Sequence, residues 1–369
     1  MDVQAYVADL VKSMYQHPLI HVYTDAAVTE ATGYVGNFAT RVAFSGRTAE
    51  IQHGAAVIAV GADLYRPTEY RYGQDDKVLT LLELEQRVAA EDETLTRADT
   101  VVMIQCVGCR NEERNYCSRI CCSAAVKNAL KLKEVNPGME IYILYRDMMT
   151  YGFSEDYYRE ASAKEVRFIR YEPQDAPQVE SVREGGKPVI RVAANDPILG
   201  RSLVIDADAL VLAAAVVPAA GTPEVAGLFK VSLSPDGFYK EAHVKLRPVE
   251  FSADGVYLCG LAHYPKHIPE TIKQAYGAAG RVLTLLSHDT VVASGAVCEV
   301  DEKKCMACGE CIAACTYGAI EFRETRQGKK AAVNPVICKG DGLCNAKCPT
   351  GAIVRSEEHT SELQSRQSI

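Results

Sequence analysis

Two cysteine runs near the C-terminal end are related by one constant offset in the sequence, the shift from Cys305 to Cys338. This repeat restricts the folds that the segment can adopt. The first run has the spacing C-x2-C-x2-C-x3-C and consists of Cys305, Cys308, Cys311 and Cys315. The offset maps this run onto Cys338, Asp341, Cys344 and Cys348. It also maps Gly318-Ala319-Ile320 onto Gly351-Ala352-Ile353, so residues outside the cysteine positions repeat as well. The segment is therefore predicted to contain a structural unit that occurs twice.

The spacing of the first run is typical of bacterial ferredoxins, in which three cysteines bind one iron-sulfur cluster and the fourth binds the other cluster. Crossing the ligands in this way predicts one 4Fe-4S cluster on Cys305, Cys308, Cys311 and Cys348. The second cluster is predicted on Cys338, Cys344 and Cys315. A zinc ion is the alternative, but structural zinc usually draws its ligand pairs from separated segments, whereas these triplets are closely spaced.

Asp341 occupies the position where the repeat predicts a fourth cysteine for the second cluster. A carboxylate is a harder ligand than a thiolate, so this corner either holds iron through oxygen or loses iron and leaves a 3Fe-4S cluster. The alternative is that Asp341, between Gly340 and Gly342, is a turn residue that binds no metal.

The composition fits a protein of roughly two to three globular domains. Of the 369 residues, 48% are apolar and 24% charged, and the formal net charge is -8. No stripe of Lys or Arg is present, which disfavours nucleic acid and anionic membranes as partners. The longest apolar run, residues 209–220, is short and contains Pro218, so it predicts a buried strand and no membrane span. Without a secretory leader pattern, the fourteen cysteines indicate metal ligands in the cytoplasm.

Apolar runs predict an α/β organisation for the rest of the chain. A strand at 100–107, a helix at 118–134 and a strand at 140–145 give the order that begins a parallel sheet. Further strands are predicted at 57–61, 166–171, 189–193, 203–215 and 254–260, followed by a helix at 267–286. Residues 355–369 resemble the in-frame translation of a sequencing adapter and are predicted to be an artefact, with a polar tail as the alternative.

A second cysteine group lies between positions 106 and 122, at the end of one predicted strand and the start of the next helix. In a nucleotide-binding unit the glycine-rich phosphate loop would lie here, but the sequence reads Gln105-Cys106-Val107-Gly108-Cys109-Arg110. Cys117, Cys121 and Cys122 cover one turn of the predicted helix, and Cys106 could complete a set of four from the strand. This group predicts a third cluster.

The segments around this group are specific enough to indicate a family. Gln-Cys-Val-Gly at 105–108, Tyr-Cys-Ser-Arg-Ile-Cys-Cys at 116–122 and Lys127 resemble the A-type subunit of heterodisulfide reductase, as do residues 33–38, 236–239 and 265–271. The resemblance implies a two-dinucleotide-binding-domain, thioredoxin-reductase-like flavoprotein fold followed by an α+β ferredoxin-like domain with two 4Fe-4S clusters. It implies a cytosolic oxidoreductase component in which FAD bifurcates electrons and the clusters carry single electrons.

The implied partners are heterodisulfide reductase subunits of the B and C types, ferredoxin, and a module that oxidises hydrogen, formate or NADH, with a homodimer also possible. The implied domains are the remainder of an FAD-binding domain with its linker (1–97), an NAD-domain-like unit carrying the cysteine group (98–215), the return segment of the FAD domain (216–295) and the ferredoxin-like domain (296–354). The N-terminal G-x-G-x-x-G fingerprint is absent. We therefore expect this sequence to be the C-terminal part of a longer protein and to bind FAD weakly by itself.

The resemblance also suggests residues near the flavin. Gly260, Ile268 and Gln274 would approach the ring, since a helix N-terminus favours negative charge on it. The alternative is a capped core helix. Lys127 would be the catalytic cation near flavin N5, or else an ordinary exposed helix lysine. The family usually has serine at the position of Cys109, which favours a Cys109 side chain that does not bind iron.

Two other functions are consistent with the residues. One is that of another FAD- and iron-sulfur-dependent oxidoreductase of the pyridine-nucleotide-disulfide type, although the missing phosphate loop argues against direct NADH oxidation. The other is that of a structural metal protein, which would not need two cluster motifs close enough to exchange electrons.

Overall fold

A five-stranded parallel sheet between residues 78 and 214 is the central layer of the structure, a computed structural model that describes residues 3–290 and 296–356. The helices are α1 (Val3–Gln16), α2 (Leu81–Ala89), α3 (Glu93–Thr96), α4 (Cys121–Val135), α5 (Ser154–Ala163), α6 (Thr222–Phe229), α7 (Ile268–Leu286), α8 (Glu310–Ala314) and α9 (Leu343–Lys347). The strands are β1 (Ala26–Tyr34), β2 (Asn37–Phe44), β3 (Arg47–His53), β4 (Ala56–Ile58), β5 (Ala62–Leu64), β6 (Val78–Thr80), β7 (Thr100–Val107), β8 (Glu140–Tyr145), β9 (Arg167–Arg170), β10 (Gln178–Glu184), β11 (Lys187–Asp196), β12 (Arg201–Ala207), β13 (Ala209–Ala214), β14 (Val216–Pro218), β15 (Val256–Leu258), β16 (Cys298–Val300), β17 (Ile320–Thr325), β18 (Gly328–Val333) and β19 (Ile353–Arg355).

The central sheet has the strand order β6-β13-β7-β8-β9 and is covered on both faces. On one face, Met103 and Val211 pack against Val126 and Ala129 of α4. On the other face, strands of the antiparallel sheet β10-β11-β12 cover it, so that Ile104 and Leu210 share a core with Ile190, Val192 and Ile205. Strands buried on both faces read as continuous apolar runs, which explains the sequences of β7 and β13.

The predicted strand at 203–215 is wrong in its extent, because the chain divides it between two sheets. β12 pairs with β11 in the antiparallel sheet, whereas β13 enters the parallel sheet. Asp208 separates them, and its carboxylate accepts hydrogen bonds from the N–H groups of Asp99 and Thr100 at 2.9 and 3.1 Å. The predicted strand at 57–61 is likewise interrupted, since β4 ends at Ile58 and Gly61 has φ +77° before β5 begins.

A second core joins the N-terminal segment to the return segment. β1, β2 and β3 form an antiparallel sheet, and β4 pairs in parallel with β15, aligning Ala56 with Val256. Phe38 and Ile58 pack there against Tyr239, Phe251 and Leu258. The chain then leaves β15 through Gly260 and enters α7, the predicted helix at 267–286.

The C-terminal unit repeats its elements at the same offset that relates the two cysteine runs. α8 and α9 start at equivalent positions, after Gly309 and Gly342, which both have positive φ. β16 pairs with β19 and β17 pairs with β18. An ion pair between Lys339 and Asp254 joins this unit to the return segment.

The backbone pairing of the C-terminal unit extends two residues beyond the predicted boundary after residue 354. Arg355 pairs with Cys298 across β19 and β16, and the Ser356 N–H donates to the Val297 carbonyl at 2.8 Å. The remaining residues of the predicted artefact, 357–369, lie outside the described residues. Within the described residues, no helix combines the length and apolar character that a membrane crossing requires.

Candidate cluster sites and flavin contacts

A cavity in the C-terminal unit is lined by the four cysteines predicted for the first cluster. Cys305, Cys308 and Cys311 come from the first run, and Cys348 comes from the end of α9. The rest of the lining is mostly apolar and includes Ala331 and Ile353. The crossed assignment therefore has a geometric basis, because the chain brings Cys348 to the first run and not to its own.

Backbone amides point at the cysteine sulfurs of this unit. The N–H of Ala319 donates to Cys315 Sγ and the N–H of Ala352 donates to Cys348 Sγ, both at 3.3 Å. The N–H of Ala331 donates to Cys305 Sγ at 3.5 Å. Hydrogen bonds to sulfur favour the thiolate and are one of the means by which proteins tune iron-sulfur clusters. This arrangement fits cluster ligation.

The sulfurs predicted for the second cluster also lie in one buried group. Cys338 and Cys344 are buried, and Cys315 packs against the same core. A further cysteine, Cys298 of β16, packs in the same core as Cys338 and Cys344, donates its backbone N–H to Cys338 Sγ at 3.3 Å and is 2% exposed. The sequence analysis missed Cys298, because it lies outside the spaced runs.

Asp341 is not brought into this group of sulfurs as a buried ligand. Its side chain is exposed, and Oδ1 accepts a hydrogen bond from the N–H of Leu343 at 3.2 Å, just before α9. This is the local contact of an aspartate in a turn. Its charge also helps to raise the pKa of Tyr317, although burial is the larger cause.

The second cysteine group lies where β7 ends and α4 begins. Cys106, the second-last residue of β7, has φ +63°, and Cys121 and Cys122 are the first residues of α4. Cys117 lies before the helix and not on its first turn, which corrects the predicted helix at 118–134. Arg119 with φ +61° breaks the helical path, and the Ser118 hydroxyl accepts a hydrogen bond from the Val216 N–H at 2.9 Å.

All five thiols of this group are electrostatic neighbours, including Cys109. A hydrogen bond from Cys106, together with others from Ser118, lowers the pKa of Cys109 to about 6. The same hydrogen bond raises the pKa of Cys106, and burial raises the pKa values of Cys121 and Cys122. Metal ligation requires thiolates, so one proton must leave for each bound sulfur.

Positive charge and an unsatisfied amide surround these thiols. The Arg110 guanidinium approaches Cys106 Sγ at 3.9 Å, and the Arg119 N–H donates to Cys117 Sγ at 3.3 Å. Gln105 is fully buried, and neither polar atom of its side chain has a hydrogen-bond partner among the described residues. A buried, unpaired amide is costly, so these two atoms remain available as hydrogen-bonding partners beside the thiols.

Of the predicted flavin contacts, Gly260 and Gln274 meet each other. The N–H of Gly260 donates to Gln274 Oε1 at 3.0 Å, and Gln274 Nε2 contacts His263 Nδ1 at 2.7 Å. His263 Nε2 lies 2.8 Å from Glu241, and burial lowers the pKa of His263. The buried Lys266 ammonium donates to the Gly260 carbonyl. Glu241, His263 and Lys266 were not singled out in the sequence analysis.

Lys127 and Ile268 lie apart from that network but line one open groove. Ile268 begins α7 and is 74% exposed. Lys127 forms an ion pair with Glu85 at 2.7 Å, and Ser123 and Pro269 also line the groove. The Ser123 hydroxyl has no partner among the described residues. The exposed face of α4 and the start of α7 thus form one surface.

No three His, Cys, Asp or Glu side chains of the described chain converge closely enough to bind one metal ion. A cubane differs from a single ion because each thiolate binds its own iron at a separate corner. The grouped but separated cysteines are compatible with that requirement.

Comparison with known proteins gives one family model and several curated relatives. Residues 304–352 match the 4Fe-4S dicluster domain. The iron-sulfur A-type subunit of the CoB–CoM heterodisulfide reductase of Methanocaldococcus jannaschii is 38% identical over 323 residues, covering 82% of this chain and 48% of that protein. The A-type subunit of the H2:CoB–CoM heterodisulfide, ferredoxin reductase of Methanothermobacter thermautotrophicus is 36% identical, covering 74% of this chain and 43% of that protein. The chain thus spans just under half the length of these relatives.

Solved structures support the fold. Thioredoxin reductase of Lactococcus lactis matches with a TM-score of 0.50 at 15% identity, covering 77% of this chain and 81% of that one. A cadaverine monooxygenase of Erwinia amylovora, solved with FAD bound, matches with a TM-score of 0.52 at 9% identity, covering 78% and 73%. The predicted thioredoxin-reductase-like fold with a C-terminal ferredoxin-like unit is confirmed.

Proposed function

This chain is a relative of the A-type subunit of heterodisulfide reductase, and we propose that it passes electrons between FAD and 4Fe-4S clusters as part of an oxidoreductase complex. The observation that carries the proposal is the cavity on which Cys305, Cys308, Cys311 and Cys348 converge. Bound clusters would accept and release single electrons, over potentials set by ligands, hydrogen bonds and exposure.

Residues of this chain would hold three clusters. Amides of Ala319, Ala331 and Ala352 would favour the thiolate form of the sulfurs in the C-terminal unit. Cys106, Cys117, Cys121 and Cys122 would hold the third cluster, with the Arg110 guanidinium offsetting its negative charge and the backbone N–H of Arg119 donating to Cys117 Sγ. The approach of Cys109 to Cys106 makes Cys109 the competing ligand in this group.

The flavin side of the proposal rests on the surface around α7. Lys127 and Ile268 line one groove there, and Gly260 and Gln274 belong to a separate polar network. Glu270 and Thr271, in the first turn of α7, each carry a buried oxygen without a partner among the described residues. Such atoms are available to a bound polar ligand.

The finer part of the proposal is flavin-based electron bifurcation in a heterodisulfide-reductase-like complex. The relatives named above are reductases of the CoB–CoM heterodisulfide, one of them also of ferredoxin. On this basis we place subunits of the B and C types, ferredoxin and an electron-donating dehydrogenase or hydrogenase module among the partners. Cytoplasmic location and a homodimer belong to the same proposal.

The test is anaerobic reconstitution followed by iron and acid-labile sulfide analysis. We expect iron for three 4Fe-4S clusters and a broad visible absorption that dithionite bleaches. Cys121→Ser should remove about one third of the iron, whereas Cys259→Ser, at a buried thiol outside the three groups, should remove none. Iron for only two clusters, unchanged by Cys121→Ser, would remove the third site from the proposal. A protein without bleachable absorption would contradict electron transfer altogether.

A further inference from the structure

The two halves of the C-terminal unit differ at one pair of equivalent positions that face the cluster sites. The offset that maps Cys305 onto Cys338 also maps Cys298 onto Ala331. Ala331 donates its N–H to Cys305 Sγ at 3.5 Å, and Cys298 donates its N–H to Cys338 Sγ at 3.3 Å. Because both the donors and the acceptors are related by the repeat, the two contacts are equivalent.

This equivalence fixes where the Cys298 side chain lies. Ala331 lines the cavity of the first four cysteines. By the internal repeat, the Cys298 side chain lies on the second site. Its thiol is accordingly buried in the same core as the sulfurs of Cys338 and Cys344.

The second site departs from the repeat at two positions, and the two differences together leave each site with four cysteines. The first site has four cysteines and an alanine at position 331. The second site has an aspartate at 341 instead of a cysteine, and a cysteine at 298 instead of an alanine. Asp341 is exposed and accepts a hydrogen bond from the Leu343 N–H, whereas Cys298 is buried among the sulfurs.

We infer that Cys298 supplies the fourth thiolate of the second cluster, together with Cys315, Cys338 and Cys344. The inference rests on the proposed function, since it assigns a ligand within one of its clusters. Ligation replaces the S–H bond of Cys298 by an S–Fe bond, the proton leaves to solvent, and no electron is transferred. Four thiolates suit a complete 4Fe-4S cluster without a carboxylate ligand.

The experiment compares Cys298→Ala with Asp341→Ala in anaerobically reconstituted full chain. Cys298→Ala introduces the residue that the repeat already has at position 331. The fold of the unit therefore already accommodates alanine at the equivalent position. Iron content and the electron paramagnetic resonance spectrum after brief air exposure are the readouts. The first cluster is the internal control for folding in both variants.

We expect Cys298→Ala to lose about one iron per chain and to show the signal of an oxidised 3Fe-4S centre, while Asp341→Ala keeps the iron and spectrum of the wild type. Cys298→Ala combined with Asp341→Cys should recover the lost iron, because it restores a thiolate at the repeat position. Iron loss in Asp341→Ala alone, equal loss in both variants, or a Cys298→Ala protein identical to the wild type would overturn the inference. A wild-type protein without any cluster would contradict the proposed function itself. A wild type that carries its clusters, with one of the contrary results above, would contradict only the assignment of Cys298.

Discussion

The Arg119 guanidinium and the Glu270 carboxylate form an ion pair at 2.9 Å that links the second cysteine group to the first turn of α7. Arg119 lies between Cys117 and Cys121, and it also donates to the Pro265 carbonyl at 3.2 Å. One side chain thus connects the candidate cluster segment to the candidate flavin surface.

This pair should contribute stability that depends on pH. Burial raises the pKa of Glu270, but the hydrogen bond and charge of Arg119, together with the contacts of His267, outweigh it, and the net pKa lies below the ordinary value of 4.5. The contribution is therefore present above that value and lost as the pH falls through the lowered pKa. In anaerobic urea unfolding, Glu270→Gln should cost about 1 kcal/mol or less at neutral pH, since water screens a half-exposed pair. The cost should vanish in acid.

The matched control is Glu93→Gln, which breaks the fully surface-located pair with Arg97. It should change the free energy of unfolding by less than Glu270→Gln does at neutral pH. A loss for Glu270→Gln that is the same at acid and neutral pH would contradict the role of the charge.

Lys266 should show a pH dependence on the alkaline side. Burial, aided by the positive charge of Arg119, lowers the pKa of Lys266 to about 8 from 10.5. Between these values the unfolded chain holds a proton that the folded chain has released, so stability rises with pH. The free energy of unfolding of the wild type, relative to Lys266→Met, should rise over this interval by on the order of 1 kcal/mol per pH unit. Lys245→Met, at an exposed lysine, is the control. A difference that stays flat over this interval would show that Lys266 keeps its proton.

Much of this site could be predicted from the sequence where ligands are close in the chain. The spacing of Cys305, Cys308 and Cys311 indicates their shared cavity, and the ferredoxin rule adds Cys348. Cys298 was missed because no spacing connects it to Cys338, and only the comparison with Ala331 across the repeat reveals it. That comparison needs contacts that the sequence does not contain.

The fold shows the same division between local and distant information. Apolar runs predict β7, α4 and β8, because a strand-helix-strand order and its period are local. The antiparallel sheet β10-β11-β12 was missed as a separate layer, since an apolar strand does not specify its pairing partner. The break at Asp208 depends on hydrogen bonds to Asp99 and Thr100, which are distant in the sequence.

Gly108, within the second cysteine group, should not tolerate a side chain. It has φ +78°, and an added Cβ would overlap the Tyr65 ring. Gly73 has a similar φ of +75° but open space around it, so it is the matched control. Gly73→Ala should cost about 1–2 kcal/mol from the backbone conformation alone. Gly108→Ala should cost more in anaerobic unfolding and lower the iron content of the cysteine group, and Tyr65→Ala should restore part of the loss. Equal costs for the two alanines would contradict the contact with Tyr65.

The crossed ligation of the C-terminal unit predicts which double variants keep a cluster. Cys305 and Cys348 line one cavity, whereas Cys315 packs with Cys338 and Cys344. If removal of one thiolate destabilises only the cluster that it binds, Cys305→Ser with Cys348→Ser damages a single cluster, because both sulfurs serve it. Cys305→Ser with Cys315→Ser damages both clusters of the unit, although the two cysteines belong to the same run. A spectroscopic count of intact 4Fe-4S clusters after anaerobic gel filtration should therefore find one cluster of the unit left by the first pair of substitutions and none left by the second. Ligation of each cluster by its own run predicts the reverse order, so the sign of the difference decides between the two arrangements.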